Sequence, residues 1–175
     1  MIARVGRTSV VLLIGAACLA CAPGCASGDG IRDFAAPPSD VMPDRVVLVK
    51  RSQGDNNAND YIDGVLLEVY LFSLEQRGES SGQPFHRAGT LRFTLFGEDG
   101  QTLSEGAFGP DELRRAERKG ALGPAYFLAI NFAARGLDDV RPRTDARLYM
   151  EFEPQGDAEQ LARGATPIRL GPWYE

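Results

Sequence analysis

Side-chain oxygens fall at alternate positions in the stretch Asp55-Asn56-Asn57-Ala58-Asn59-Asp60-Tyr61-Ile62-Asp63. Calcium takes six to eight hard oxygen ligands, and alternate residues of an extended loop can turn carboxylate and amide oxygens to one side. Asp55, Asn57, Asn59 and Asp63 match positions one, three, five and nine of a calcium loop. Two positions depart from that pattern. Asp60 stands where the sharp turn takes Gly, and Leu66 stands where a bidentate Glu closes the site. Asn and Asp are also ordinary turn formers, because their side chains bond nearby backbone groups. The plainer expectation is a solvated connection between two strands. The sharper one is a calcium site, to which Asp99, Asp138 or Asp139 could add ligands from other loops. Calcium is the one cofactor the sequence suggests.

Acyl-transfer chemistry has a weaker signature. Gly78-Glu79-Ser80-Ser81-Gly82 fits G-x-S-x-G. A nucleophile elbow needs a strand before it and a helix after it, and here Gln83-Pro84 follows within a polar loop. His86 is the single histidine, so two- and three-histidine metal sites are excluded from one copy of the chain. It is the only imidazole that could act as general base for Ser80 or Ser81 in a small hydrolase. Glu68 lies within an apolar strand, with no second carboxylate at an arguable distance, and is expected on a wet face. Arg114-Arg115 and Arg141-Pro142-Arg143 are small basic spots whose default is a solvated or ion-paired surface. Trp173-Tyr174 is expected to pack at the domain's edge or bottom rather than to dock a partner. These readings lead to a chain with no catalytic residues and no enzymatic activity.

The three cysteines are confined to Cys18, Cys21 and Cys25. That excludes a disulfide framework or a thiolate metal site in the remainder. Arg4 and Arg7 precede an uncharged run from Ser9 to Ala20, too short to span a bilayer comfortably, for which about 20 apolar residues are needed. Charged start, short apolar run and small residues near a cysteine together read as a secretory leader. The stretch resembles the signal peptide of bacterial lipoproteins, in which small residues precede a cysteine that becomes the lipidated N-terminus. Leu19-Ala20-Cys21 is the best match, Ala22-Pro23-Gly24-Cys25 the second, and Gly15-Ala16-Ala17-Cys18 the third. The resemblance implies export, palmitate and other acyl chains on Cys21, and attachment to a membrane. Ala22 after the cysteine implies the outer membrane in a cell that has two.

Net charge is −5, and removing residues 1–20 with Arg4 and Arg7 takes it to −7. With Lys50 and Lys119 the only lysines, nucleic acid is not an expected partner. Residues 22–44 are rich in Gly, Ala, Pro, Ser and Asp, and read as a flexible tether. About 20 such residues reach roughly 25 Å.

Beyond the tether, alternation dominates. Strands are predicted over 45–50, 65–72, 90–96, 102–104, 125–132, 146–153 and 166–170. Asp99-Gly100 marks a hairpin, since Gly accepts positive φ without a Cβ clash. Pro167 suggests that the last strand lies at an edge. One short surface helix is predicted from Pro110, with Asp111 and Glu112 at its positive end, Arg118 and Lys119 at its negative end, and Gly120 closing it. The expected fold is all-β: an antiparallel two-sheet β-sandwich of about seven strands, immunoglobulin-, transthyretin- or C2-like in style. Residues 1–20 are the signal peptide, 21–44 the tether, and 45–175 the sandwich. The expected role is a lipid-anchored domain facing the periplasm or exterior, binding an envelope protein or polymer without catalysis. Rival readings are a calcium-dependent binding or adhesion module and the small hydrolase.

Overall fold

A computed structural model describes residues 41–74, 82–138, 142–156 and 161–173. Cys18, Cys21, Cys25, Ser80, Ser81, Asp139, Arg141 and Tyr174 lie outside the described residues, as do the leader and nearly all of the tether.

The described residues form nine strands: β1 (Arg45–Gly54), β2 (Tyr61–Ile62), β3 (Gly64–Phe72), β4 (Gly89–Phe96), β5 (Thr102–Phe108), β6 (Glu117–Gly120), β7 (Gly123–Asn131), β8 (Thr144–Pro154) and β9 (Ala162–Pro172). One helix, α1 (Pro110–Ala116), lies between β5 and β6. The fold is all-β, as expected. Where about seven strands in two sheets were expected, nine strands are hydrogen-bonded into one mixed sheet, in the order β5-β4-β8-β9-β1-β3-β7-β6, with β2 paired to β9. The joint is a parallel pairing of β1 with β9 at Arg45 and Arg163; every other strand pair is antiparallel.

Period-two alternation puts one row from each of the longer strands on a shared core. Val65, Leu67, Val69 and Leu71 of β3, Leu91, Phe93 and Leu95 of β4, and Leu148, Met150 and Phe152 of β8 are all buried. Burying a side chain of that size contributes about 1.5–3 kcal/mol. β4 and β7 are not ladder neighbours, yet Phe93 on β4 meets Phe132, just past β7, edge-on at 6.5 Å. Leu113 of α1 enters the same core.

Three local expectations change. Helix α1 stops at Ala116, because Glu117–Gly120 pairs with β7 and so satisfies its backbone in a ladder. Arg118 and Lys119 are therefore strand residues, and Gly120 opens a hairpin rather than closing a helix. The strand predicted at 166–170 is the middle of β9, which is internal to the sheet. Pro167 is tolerated there because the β1–β9 ladder is confined to the Arg45 and Arg163 pair. Beyond it, side chains bridge the two strands: Lys50 Nζ donates to Pro167 O at 3.4 Å, and Gln53 Nε2 donates to Arg169 O.

The β1–β9 joint demands a small residue. A Cβ on Gly164 would meet Val46 O at 2.1 Å, whereas one on Gly54 would meet nothing within 4 Å. Gly164→Ala is expected to destabilise the domain by about 1–3 kcal/mol through forced backbone shifts. Gly54→Ala should stay within about 0.5 kcal/mol of the parent. Urea unfolding midpoints of the two variants check this, and equal midpoints would contradict the packing at the joint.

Candidate functional site

The 55–63 segment leaves the end of β1 and re-enters the sheet at β3. Its oxygens are organised by its own backbone. Asp55 Oδ1 accepts from Asn57 N at 3.0 Å and Ala58 N at 2.7 Å, and Asp55 Oδ2 accepts from Asp60 N at 2.7 Å. Asn57 Oδ1 accepts from Asn59 N at 3.2 Å, and Asn59 Oδ1 accepts from Tyr61 N at 3.0 Å. Desolvation pushes the Asp55 carboxyl up, but the amides of Asn57, Asp60, Asn59 and Ala58 together outweigh it and hold the group below its ordinary range. Ala58 and Asp60 adopt φ of 62° and 67°, in the left-handed region.

Asp63 is different in kind, being only 1% exposed. Its Oδ1 accepts from Asn56 N at 2.8 Å and Asn56 Nδ2 at 2.9 Å. Its Oδ2 is buried and has no hydrogen-bond partner. Gly64 makes the arrangement possible, because a Cβ there would meet Asn56 Nδ2 at 1.9 Å. Among the described residues no group of three or more His, Cys, Asp or Glu is placed to hold a metal ion. Asp99 and Asp138 thus do not join Asp55 and Asp63; Asp99 Oδ1 instead accepts from Gln101 N at 3.1 Å in its own hairpin.

A second cluster was not foreseen. Glu68 is fully buried rather than on a wet face. In β1, Lys50 pairs with Leu67 and Ser52 with Leu66, so Arg51 is the extra residue of a bulge. The bulge aims Arg51 at Glu68, where Nε donates to Oε1 at 2.6 Å and Nη2 makes an ion pair with the same oxygen. The Tyr70 hydroxyl donates to Glu68 Oε2 and accepts from Leu122 N at 3.3 Å. Burial pushes the Glu68 carboxyl up, but Tyr70 and Arg51 outweigh that and hold it below the usual range. Burial and the Glu68 hydrogen bond raise the Tyr70 hydroxyl. The signal was present in the sequence: Tyr70 and Phe72 share the Glu68 row, so that row is covered, and a covered carboxylate needs partners.

His86 lies between Ala125 and Glu117. One ring nitrogen, Nε2, lies 3.0 Å from Ala125 O, and the other, Nδ1, lies 3.6 Å from Glu117 Oε2. Its ring stacks at a tilt on Tyr126, with centroids 4.9 Å apart. Burial lowers its pKa, against pulls from the Ala125 carbonyl and Glu117. Tyr126 donates to Arg87 O and accepts from Arg87 N, both at 2.8 Å, which pins this connection to β7. Arg114 pairs with Asp111 at 3.2 Å on the surface. Trp173 is 46% exposed, and its amide donates to Asp60 O at 2.8 Å. No helix among the described residues is long and apolar enough to cross a membrane.

The Glu68 cluster yields a pH signature. Its carboxyl is depressed in the folded state, so its contribution is present above about pH 4.5 and lost as pH falls through the lower folded value. Glu68→Gln should lower stability at pH 7 by about 1.5–3 kcal/mol, as for a hydrogen bond to a charged group. The difference from the parent should shrink toward pH 3. Urea titrations at both pH values test it, and a pH-independent difference would remove the charge from the explanation.

No known protein family and no curated protein matches the chain. Among solved structures, the chain is similar to a copper-bound variant of the Campylobacter jejuni protein P19. The two are 14% identical over 74% of this chain and 89% of that chain, with a TM-score of 0.39.

Proposed function

We propose that the chain is a lipid-anchored cell-envelope protein whose β domain binds or scaffolds without catalysis. The observation that carries this reading is the confinement of every cysteine to positions 18, 21 and 25, at the end of an uncharged run that follows two arginines. Cys21 takes the acyl chains, which add about 0.8 kcal/mol per buried methylene and hold the protein at a membrane surface. The tether then presents the domain to an envelope protein or polymer. In this reading the continuous sheet folds over its core into two packed layers, which gives a rigid body to present. The anchor is the membrane contact, and the acidic balance disfavours nucleic acid.

The non-catalytic half draws support from His86, whose Nε2 is engaged by the Ala125 carbonyl. A general base needs a nitrogen directed at its substrate. A second reading, a calcium-dependent binding module, is favoured by one observation: the buried, unpartnered Oδ2 of Asp63 at the base of the 55–63 loop.

Metabolic labelling with palmitate tests the anchor. Label is expected on the parent chain and on Cys25→Ala and Cys18→Ala, and not on Cys21→Ala. Loss in Cys25→Ala alone would move the anchor to the second candidate. An unlabelled parent found in the cytosolic fraction would end the reading.

A further inference from the structure

The face of the sheet turned away from the core carries an open groove of about 980 Å³, at the upper end of the range for sites that take small ligands. β8 and β9 run beneath it, for the ladder order places them between β4 on one side and β1 on the other. The turn from β4 to β5, with Phe96 and Glu98, borders the first side, and Lys50, Gln53 and Ile62 border the second. The exposed row of β8 enters the groove as Asp145, Arg147 and Tyr149. Ladder pairing sets Arg147 between Phe96 of β4 and Pro167 of β9.

Three cations, Lys50, Arg147 and Arg169, and two carboxylates line the groove, in a chain whose net charge is −5. Three of the five charges are engaged. Asp145 Oδ1 pairs with Arg169 Nε at 3.6 Å, and Glu98 Oε1 accepts from Asp145 N at 3.1 Å. Lys50 Nζ donates to two neutral oxygens, Gln53 Oε1 at 2.8 Å and Pro167 O at 3.4 Å, so its charge stays uncompensated. Arg147 has no hydrogen-bond or ion-pair partner among the described residues. Its planar guanidinium can hold a carboxylate by two parallel N–H bonds.

Further observations narrow the ligand. Tyr149 is 42% exposed and meets Phe96 in a perpendicular pair, with centroids 5.4 Å apart, so each ring keeps at least one face clear of the other. The face of an aromatic ring is electron-rich and attracts the C–H groups of a sugar ring. The carboxylates of Glu98 and Asp145 only accept hydrogen bonds, which sugar hydroxyls donate and the oxygens of a phosphodiester cannot. An extended peptide has no strand to join here. From Arg147 onward β8 is paired on both edges, and the Pro167 and Arg169 carbonyls of β9 are taken by Lys50 and Gln53. Strand addition needs free backbone groups.

We propose that this groove binds a polysaccharide whose sugar rings carry carboxylates, a uronate polymer. Arg147 takes a carboxylate in a bidentate pair, Lys50 supplies a second positive charge, Tyr149 stacks a sugar ring, and Glu98 accepts from its hydroxyls. The proposal rests on the polymer-binding form of the function proposed above, and names the class of polymer and the residues that hold it. An open groove admits the middle of a polymer, where a closed cavity takes only its end.

Calorimetry on the full chain in detergent tests this with an oligogalacturonate, its full methyl ester, and an oligoglutamate of equal charge. Binding is expected with the first, binding at least tenfold weaker with the ester, and no heat with the oligoglutamate. Arg147→Gln should weaken the oligogalacturonate at least tenfold, as for loss of a charge-assisted pair, and Tyr149→Ala several-fold. Arg147→Lys should restore only part of the affinity, because an ammonium cannot make the bidentate pair. Both side chains are exposed, so these variants should keep the parent's melting temperature. Magnetic resonance of the parent needs no variant: the Arg147 Nε–H and Tyr149 ring signals should move as oligogalacturonate is added. No heat at millimolar oligogalacturonate, shifts confined to residues outside the groove, or equal binding of the oligoglutamate would each overturn the proposal. None of these results touches the lipid anchor, which palmitate labelling decides, and a failed glycan leaves a protein partner standing.

Discussion

β3 is buried on both faces along its middle, from Leu67 to Leu71, and much else follows from that constraint. Its odd row, Val65 to Leu71, lies in the core, while Glu68 and Tyr70 on the even row are also fully covered. A strand covered twice must have neighbours on both edges and something over its second face. β1 and β7 fill the edges. The turn at Leu122 and the bulged Arg51 reach the buried polar atoms of the second face. The close approach is visible at Gly120, where a Cβ would meet the Tyr70 hydroxyl oxygen at 2.2 Å. The bulge in β1, the hairpin between β6 and β7 and the ion pair thus meet at one point: a carboxylate at a fully buried position that needs partners.

Much of the fold was legible from alternation alone. The cores of β3, β4 and β8 were read correctly, because a half-buried strand writes its inward row directly into the sequence. The Asp99-Gly100 hairpin was legible too, since Gly100 has φ 80°, which only glycine adopts without strain. What alternation does not encode is which strands pair at a distance. The joint of β1 to β9 is one parallel contact beside Gly164, and nothing local to either strand announces it. The short β6 was hidden for another reason. Glu117, Arg118 and Lys119 are acceptable helix formers, and only pairing with β7 decides against the helix.

The candidate site was half legible. The alternating oxygens of Asp55, Asn57 and Asn59 stand out by spacing, yet the same residues make a plain turn, and their bonds to local amides are what a plain turn would show. The informative residue is Asp63, and its burial comes from the strands around it. Phe132 past β7 and Gly54 at the end of β1 hold its backbone from two sides. For Glu68 the error lay in treating the carboxylate as a marker of the wet face, when its row-mates Tyr70 and Phe72 argued for a covered one.

Among the described residues the sheet has two outer strands, β5 and β6. Unpaired backbone on a border is a template for another copy of the chain. β6 offers only four residues, two of them the exposed cations Arg118 and Lys119. β5 is longer, but it is interrupted by a bulge at Leu103 and carries the exposed anion Glu105. One border therefore presents positive charge and the other negative charge, and neither presents a long flat run of apolar residues. Two copies meeting β6 to β6, or β5 to β5, would set like charges against each other, and neither border offers the long apolar run along which strands stack into a fibre.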